Sequence, residues 1–188
     1  MEIYFCTGNK HKLKEYKAIL EVAGIKVKKV SAKLIEIQAN KLEDVAKEKV
    51  KTAYEKIKKP VFVEDAGLFI EALNGFPGVY SAYVFKTIGN QGILKLLNGI
   101  KNRKAIFKAV IAFVDENHKI HFFKGCCKGK IAYSIRGNFG FGFDPIFIPK
   151  GYNKTFAEDV ELKNKISHRK RAIEKFVNFL KRKYLSKS

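Results

Sequence analysis

The chain begins with an apolar run that passes through a short polar turn into an amphipathic helix, and this order predicts an α/β fold. The run Ile3 to Cys6 has the composition of a strand, and Thr7-Gly8-Asn9 follows it directly. Apolar residues then recur at helical spacing over residues 10–23. Because a helix N-terminus presents backbone N–H groups and the positive end of its dipole, this turn predicts a phosphate site, to which Lys12 adds a charge. The same residues also fit a plain turn and helix cap.

The length of 188 residues suits one domain spanning residues 1–188 and is enough to bury a proper core. No apolar run approaches the roughly 20 residues of a membrane span, so we expect a cytoplasmic protein. Its three cysteines, Cys6, Cys126 and Cys127, form no C-x-x-C pair, which argues against a zinc or redox site. We expect all three to be buried, reduced and inert.

The formal charge of +20 arises from 38 basic and 18 acidic residues. Such an excess of basic residues makes nucleic acid a candidate partner. However, the lysines are spread along every amphipathic segment, whereas proteins that read bases usually depend on arginines. The charge therefore favours small polyanions such as nucleotides over nucleic acid.

Hydrophobic spacing predicts the remaining elements and indicates a mixed sheet. Residues 104–114 and 118–127 alternate like paired strands across a polar turn, which is typical of an antiparallel hairpin added to a βα core. The short apolar run 61–63 indicates a buried strand, and we expect it to place Glu64 and Asp65 at its carboxyl end. The pattern also predicts strands at 25–30 and 146–148 and helices at 41–58, 68–73, 90–98 and 168–184.

Carboxylates from separate segments indicate a metal site. Glu36, the pair Glu64-Asp65 and Asp144 lie at predicted strand ends or in loops. Carboxylates near a phosphate site are best explained by Mg²⁺, a hard cation that binds one or two carboxylates together with substrate oxygens. Asp65 is the strongest candidate, although Glu64 and Asp65 could merely cap the following turn.

A second anion site is predicted at Ser167-His168-Arg169, where a hydroxyl, an imidazole and a guanidinium begin the last helix. An ordinary cap with surface charges explains this segment as well. The loop from Phe139 to Asp144 alternates aromatic residues with glycine, so its rings could stack on a nucleobase. Alternatively, the rings fill the core beneath the loop.

Together these segments resemble the inosine triphosphate pyrophosphatase family, whose members hydrolyse non-standard purine nucleoside triphosphates. The match covers nearly the whole chain, and the motifs occur in the family's order. Glu36 with Gln38 matches the metal-binding loop, and Lys49 matches a helix lysine that precedes the catalytic aspartate, here Asp65. The longer matching motifs are Thr7-Gly8-Asn9-x-x-Lys12, Phe141-Gly142-Phe143-Asp144-Pro145 and Lys163-Asn164-Lys165-Ile166-Ser167-His168-Arg169. Ala66 and Tyr83 depart from the residues common in the family.

The resemblance implies an α/β fold with an elongated mixed β-sheet flanked by helices, two lobes and a central nucleotide-binding cleft. It implies Mg²⁺-dependent hydrolysis of ITP, dITP or XTP at the α,β-phosphoanhydride, which releases a monophosphate and pyrophosphate and cleanses the nucleotide pool. Relatives usually form dimers, so the resemblance also implies a homodimer.

The resemblance further implies a role for each matching residue. Asp65 would orient or deprotonate the attacking water, and Glu36 with Asp65 would hold the metal. Phe141 would stack on the base, Asp144 would lie near the sugar, and donors further along the chain would contact the 6-keto oxygen of hypoxanthine or xanthine. The implied phosphate ligands are Thr7, Gly8, Asn9, Lys12 and Lys49, and the implied nucleoside ligands are Phe141, Gly142, Phe143, Asp144, Lys163, Ser167, His168 and Arg169.

Two other classes of function each account for part of the sequence. The Maf-like pyrophosphatase family shares the architecture and acts on pyrimidine or modified nucleotides, but its base contacts differ from the segments Phe141 to Pro145 and Ser167 to Arg169. A basic nucleic-acid-binding domain explains the charge but not the carboxylates, which would repel a phosphate backbone unless a metal intervened.

Overall fold

The computed structural model describes residues 1–185, and within them it contains six β-strands and six α-helices. The strands are β1 (Glu2–Cys6), β2 (Lys26–Val30), β3 (Val61–Ile70), β4 (Lys104–Val114), β5 (Ile120–Ile131) and β6 (Phe147–Pro149). The helices are α1 (Lys10–Leu20), α2 (Leu42–Ile57), α3 (Ser81–Thr87), α4 (Gly89–Leu96), α5 (Val160–Ile166) and α6 (His168–Leu180). None of the described helices is long and apolar enough to cross a bilayer.

The strands form one mixed sheet in the order β2-β1-β3-β4-β5-β6. β1 pairs in parallel with β2 and β3, with Tyr4 opposite Val61 in the second pair. β5 and β6 are antiparallel, with Gly129 opposite Pro149. The predicted α/β class and mixed sheet are therefore confirmed.

The chain folds as two compact units, each built from non-contiguous segments. Unit 1 contains Met1–Asp65, Ala109–Gly125 and, within the described part, residues 171–185. Unit 2 contains Ala66–Lys108 and Cys126–Lys170. The expected single domain 1–188 stays a prediction, and its last three residues, 186–188, lie outside the described part.

Each unit has its own aromatic core. In unit 1, the ring of Phe5 is stacked on Phe62 with centroids 4.3 Å apart, and Phe176 packs against Phe62 at 5.1 Å. In unit 2, Phe107 contacts Phe147 at 4.5 Å, and both rings belong to a buried cluster with residues from α4 and the loops. Burial of several large rings in each unit supplies a hydrophobic driving force for the folding of that unit.

β3 is longer than predicted, and this changes the position of Glu64 and Asp65 within the strand. The predicted strand 61–63 runs to Ile70, so Glu64 and Asp65 lie within β3 and not at its carboxyl end. The reading of these carboxylates as caps of a following turn is wrong for the same reason. The helix predicted at 68–73 is a strand up to Ile70 and a 3₁₀ turn only over Glu71–Leu73.

Tertiary contacts explain the extension of β3. Leu68 and Ile70 are fully buried, whereas Phe69 lies on the opposite face of the strand and pairs with Pro77. A Cβ at Gly67 would lie 2.2 Å from the carbonyl oxygen of Gly78, so only glycine permits this close approach. No pattern within residues 61–73 encodes a contact with this distant segment.

Three other expectations are corrected by the structure. Helices α3 and α5 were not predicted, because each has only seven residues and too short an apolar pattern. α1 ends at Leu20, and turn residues continue to Gly24, whose φ of +77° suits a helix stop. Cys126 is exposed, since it alternates with buried Cys127 along β5.

Candidate active site

In unit 1, the first group of predicted ligands lies where β1 ends and α1 begins. Asn9 caps α1, because its Oδ1 accepts hydrogen bonds from the N–H groups of His11 (2.9 Å) and Lys12 (3.1 Å). The hydroxyl of Thr7 accepts the N–H of Asn9 at 3.1 Å. The helix-cap interpretation is thus confirmed. A Cβ at Gly8 would meet no atom within 4 Å, so space for a ligand is open beside the loop.

Lys12 is bound to a buried carboxylate of β3. Its Nζ lies 3.0 Å from Oε2 of Glu64 and donates to the backbone carbonyl of Glu64 at 3.2 Å. The Glu64 side chain is fully buried. A buried carboxylate requires a nearby cation, so this pair fixes the Lys12 ammonium beside β3.

Lys49, on α2, brings the two predicted metal ligands together. Its Nζ donates to Oδ1 of Asp65 at 2.9 Å and also to Oε1 of Glu36. The side chains of Lys49 and Asp65 are each 12% exposed, whereas Glu36 lies in the extended segment before α2 and is 68% exposed. Two carboxylates from separate segments of the chain thus contact the same ammonium group, that of Lys49.

Burial and charge set the protonation of this pair. Burial raises the pKa of Asp65, and the charges of Lys49 and Lys12 offset this only in part, so that the pKa lies above the ordinary aspartate value. Burial lowers the pKa of Lys49, but the charge of Asp65 and the hydrogen bond to Glu36 outweigh it, so the net direction is upward. Lys49 therefore stays protonated, while Asp65 has an increased affinity for a proton.

Asp65 and Glu36 have the chemistry of magnesium ligands. Oδ2 of Asp65 is buried and has no hydrogen-bond partner among residues 1–185, which leaves one hard oxygen available to a metal or to a water molecule. The described residues contain no group of three or more His, Cys, Asp or Glu side chains arranged to hold a metal. A metal bound by Asp65 and Glu36 would therefore need further ligands, such as substrate phosphate oxygens or water.

In unit 2, the glycine-aromatic loop is folded around the carboxylate of Asp144. Oδ2 of Asp144 accepts the N–H of Phe141 at 2.8 Å and pairs with Nζ of Lys163 at 2.8 Å. Gly140 has a φ of +74°, and a Cβ there would lie 2.2 Å from the same oxygen. The buried Asp144 carboxylate therefore holds the loop in its conformation. Burial raises the pKa of Asp144 above the ordinary aspartate value, because it outweighs the opposing effect of Lys163 and the Phe141 N–H.

The three rings of this loop have different surroundings, so neither interpretation from the sequence holds for all of them. Phe143 is 4% exposed and belongs to the core of unit 2, whereas Phe139 is 62% exposed. Phe141 is partly buried. The ammonium of Lys163 lies 4.5 Å and the guanidinium of Arg169 5.2 Å from the Phe141 ring centroid, within the range of cation–π attraction.

The second predicted anion site lies at the junction of α5 and α6. Oγ of Ser167 accepts the N–H of Lys170 at 3.2 Å, which confirms the predicted cap of the last helix. His168 is stacked on Phe107 with ring centroids 4.6 Å apart. Ser167, His168 and Arg169 are each 3% exposed, so the alternative of exposed surface charges is wrong.

All predicted site residues are described, and they form two groups. Unit 1 holds Thr7, Gly8, Asn9, Lys12, Glu36, Lys49 and Asp65, and unit 2 holds Phe141, Gly142, Phe143, Asp144, Lys163, Ser167, His168 and Arg169. Sequence reasoning missed three partners of these residues. It did not pair Glu64 with Lys12, place Phe107 against His168, or identify Asn90 as the donor to the carbonyl of Gly142. The alternation of β4 predicts that Phe107 is buried, but no local pattern reveals its partner.

Comparison with known proteins assigns both groups to one family. The model of the Ham1 family matches residues 3–179. A dITP/XTP pyrophosphatase of Thermococcus kodakarensis is 53% identical over 182 residues, which cover 96% of this chain and 98% of the relative. One from Methanopyrus kandleri is 51% identical over 182 residues, covering 96% and 97% of the two chains.

Solved structures agree with the sequence comparisons. A HAM1 protein from Coxiella burnetii has a TM-score of 0.85 and 31% identity over 97% of this chain and 99% of its own. The Staphylococcus aureus Ham1 protein has a TM-score of 0.82 and 32% identity over 97% of this chain and all of its own.

Proposed function

The chain belongs to the Ham1 family, and we propose that it hydrolyses non-canonical purine nucleoside triphosphates such as dITP, ITP and XTP. The products are the nucleoside monophosphate and pyrophosphate, so the activity removes damaged purines from the nucleotide pool. The observation that carries the proposal is that the family match at 3–179 includes both residue groups. The curated relatives described above, both dITP/XTP pyrophosphatases, support the same chemistry.

The residues of unit 1 suit the triphosphate. Lys12 and Lys49 provide two cations, and the loop at Gly8 provides open space at the start of α1. We propose that Thr7, Gly8, Asn9, Lys12 and Lys49 bind the phosphates and that Glu36 and Asp65 hold Mg²⁺. When bound, the metal would neutralise phosphate charge and favour attack at the α,β-anhydride.

Asp65 suits the role of general base because its two oxygens differ. Oδ1 is held by Lys49 at 2.9 Å, which fixes the carboxylate, whereas Oδ2 has no hydrogen-bond partner in the described part of the chain. Oδ2 can therefore orient a water molecule and accept its proton, and in this arrangement Asp65 would contact the metal through Oδ1.

The residues of unit 2 suit a purine with a 6-keto group. Lys163, His168 and Arg169 are hydrogen-bond donors held in a buried setting, and a keto oxygen accepts such bonds. The 6-amino group of adenine would instead face a donor, which leaves a buried polar contact unpaired. We propose that these residues select the base and that Phe141 stacks on it. Ser167 would support this segment through its cap of α6.

A substrate panel tests the function. Pyrophosphate release is measured with Mg²⁺ for ITP, dITP and XTP, and for ATP, GTP, CTP and dTTP as canonical controls. The proposal requires a clear preference for the first three and loss of activity when the metal is chelated. Equal rates on ATP and GTP, or preference for a pyrimidine, would contradict it.

We also propose that the protein acts as a homodimer in the cytoplasm. The exposed side chains of Phe76, Tyr80, Tyr83 and Ile88, all in unit 2, offer apolar surface for such an interface. A second copy of the chain would cover this surface.

A further inference from the structure

The loop that carries Phe141 is held by a side chain of α4. Nδ2 of Asn90 donates a hydrogen bond to the backbone carbonyl of Gly142 at 3.2 Å. The two residues are 52 positions apart in the chain, and both belong to unit 2. Gly142 has a φ of +63°, a conformation that glycine adopts readily, so the backbone here depends on contacts to keep one shape.

The bond from Asn90 completes a set of restraints on both sides of Phe141. On one side, the N–H of Phe141 is held by Oδ2 of Asp144 at 2.8 Å. On the other side, the ring of Phe143 is buried and meets Phe85 of α3 edge-on, with centroids 5.4 Å apart. Asn90 holds the carbonyl of the peptide that joins Gly142 to Phe143, where Gly142 itself has no side chain to make a restraining contact.

The chemistry of the contact requires the amide nitrogen. The partner is a carbonyl oxygen, which accepts hydrogen bonds and repels another acceptor. This requirement orients the Asn90 amide and leaves Oδ1 buried, with no hydrogen-bond partner among the described residues. An aspartate at this position would keep the shape but place an acceptor against the Gly142 carbonyl.

We infer that Asn90 is a positioning residue for base recognition, acting through the Gly142 carbonyl to hold Phe141 in its base-stacking position. The inference rests on the proposed function, in which Phe141 contacts the base. Because Asn90 acts on this loop, its loss should weaken nucleoside binding and leave the chemistry on the phosphates nearly unchanged.

Steady-state kinetics with ITP test the effect on binding. Asn90→Ala and Asn90→Asp should each raise KM roughly three- to tenfold, the range expected from one lost hydrogen bond, with kcat within about twofold. Gln91→Ala is the matched control, since Gln91 is exposed on the same helix, and its KM should match that of the parent protein. Thermal unfolding confirms that all variants are folded. Unchanged KM in both Asn90 variants, or an equal rise in Gln91→Ala, would overturn the inference.

A fluorescence reporter tests the position of the loop without any turnover. The chain contains eight tyrosines and no tryptophan, so Phe141→Trp introduces a single tryptophan, whose emission is excited selectively and reports on this position. Adding Asn90→Asp to this reporter should increase quenching by acrylamide at least about 1.5-fold through greater exposure of the ring, and adding Gln91→Ala should not. Identical quenching in both would refute the positioning role.

The two experiments separate this inference from the proposed function. If the parent protein failed to hydrolyse ITP, the proposed function would fail, yet the quenching data would still decide whether Asn90 holds the loop. If the parent protein hydrolysed ITP and the Asn90 variants behaved like it, only the inference would fail.

Discussion

At the scale of single residues, the proposed chemistry depends most on the different surroundings of the two Asp65 carboxylate oxygens. One oxygen is fixed by Lys49, and the other is buried with no hydrogen-bond partner in residues 1–185. An amide has nearly the same shape but lacks the negative charge and the ability to accept a proton from water.

Asp65→Asn should reduce kcat at least roughly 100-fold while nucleotide binding survives, since loss of a general base commonly has this scale. Pyrophosphate release measures the rate, and calorimetric titration with the monophosphate product measures binding. Asp44→Asn, the same chemical change at an exposed position of α2, serves as the control and should retain full activity. A rate for Asp65→Asn within about threefold of the parent would remove Asp65 from the catalytic role, given that scale.

Arg169→Ala should narrow the preference for ITP over ATP by roughly tenfold, because it removes the buried guanidinium that we propose donates to the 6-keto oxygen. The ratio of kcat/KM for the two substrates is the measurement. Lys165→Ala, which removes an exposed cation from α5, should leave that ratio unchanged. Arg169 begins α6, so melting temperatures of the variants must be compared. Equal decreases in kcat/KM for ITP and ATP in a folded protein would mean that this segment contacts the phosphates and not the base.

At the scale of elements, the turn between β4 and β5 is attached to the end of the last helix. Asp115, in this turn, is 1% exposed and accepts the N–H groups of Asn117 (2.9 Å) and Lys119 (3.0 Å). Its other oxygen is bound by His121 at 2.7 Å and by Lys183, which lies in a π-helical turn after α6. This network connects three parts of unit 1 through one carboxylate.

Asp115→Asn should lower the free energy of unfolding at pH 7 by about 1.5–3 kcal/mol, the range for hydrogen bonds to charged groups. Burial alone would raise the pKa of Asp115, but the hydrogen bonds from Lys183 and His121 outweigh it and hold the pKa far below its usual range. Since the folded pKa is depressed, the carboxylate stabilises the fold above the unfolded value of about 3.9, and this contribution declines as pH falls below it.

Urea denaturation at several pH values checks this dependence. The stability difference between parent and variant should shrink as the pH falls below about pH 4. Other carboxylates titrate in both proteins and cancel in the difference. A difference that stays the same down to pH 2.5 would show that the charge of Asp115 does not stabilise the fold.

At the scale of the whole molecule, the large positive charge and the exposed aromatic side chains have different consequences. The charge of +20 attracts nucleotides and also opposes close association of two copies. A dimer therefore needs apolar contact to offset this repulsion, and we propose that the exposed side chains of Phe76, Tyr80, Tyr83 and Ile88 supply it.

Light scattering should give a mass of twice the 21.4 kDa chain at moderate salt. Tyr83→Glu should shift the mass toward the monomer, because Tyr83 is 70% exposed and a carboxylate in an apolar interface would be desolvated without a partner. Tyr133→Glu introduces the same charge at a tyrosine that is 79% exposed, and it should stay dimeric. A monomeric parent protein would disprove the dimer.

Hydrophobic spacing was enough to predict the mixed α/β class and the long elements α2 and β4, whereas motifs and the family resemblance identified the segments that form the two residue groups. Periodicity records which face of an element is buried, and this information is local. The predicted motif residues also needed no structure, because each motif is a short run along the chain. For this reason the helix caps at Asn9 and Ser167 could be predicted from the adjacent residues in the sequence.

Only the tertiary structure decided which side chains meet. Lys12 pairs with Glu64, and Asn90 with Gly142, across 52 positions in each case, while Lys49 reaches Asp65 across 16. In β3, the close approach of Gly67 to the carbonyl oxygen of Gly78 likewise lies outside the predicted strand 61–63. Local patterns set the preferred shape and buried face of a segment, but its partners follow from how all segments pack. The amino-acid sequence by itself thus determined the composition of the two groups, and packing decided that Lys49 joins Glu36 to Asp65 and that Asn90 holds the loop of Phe141.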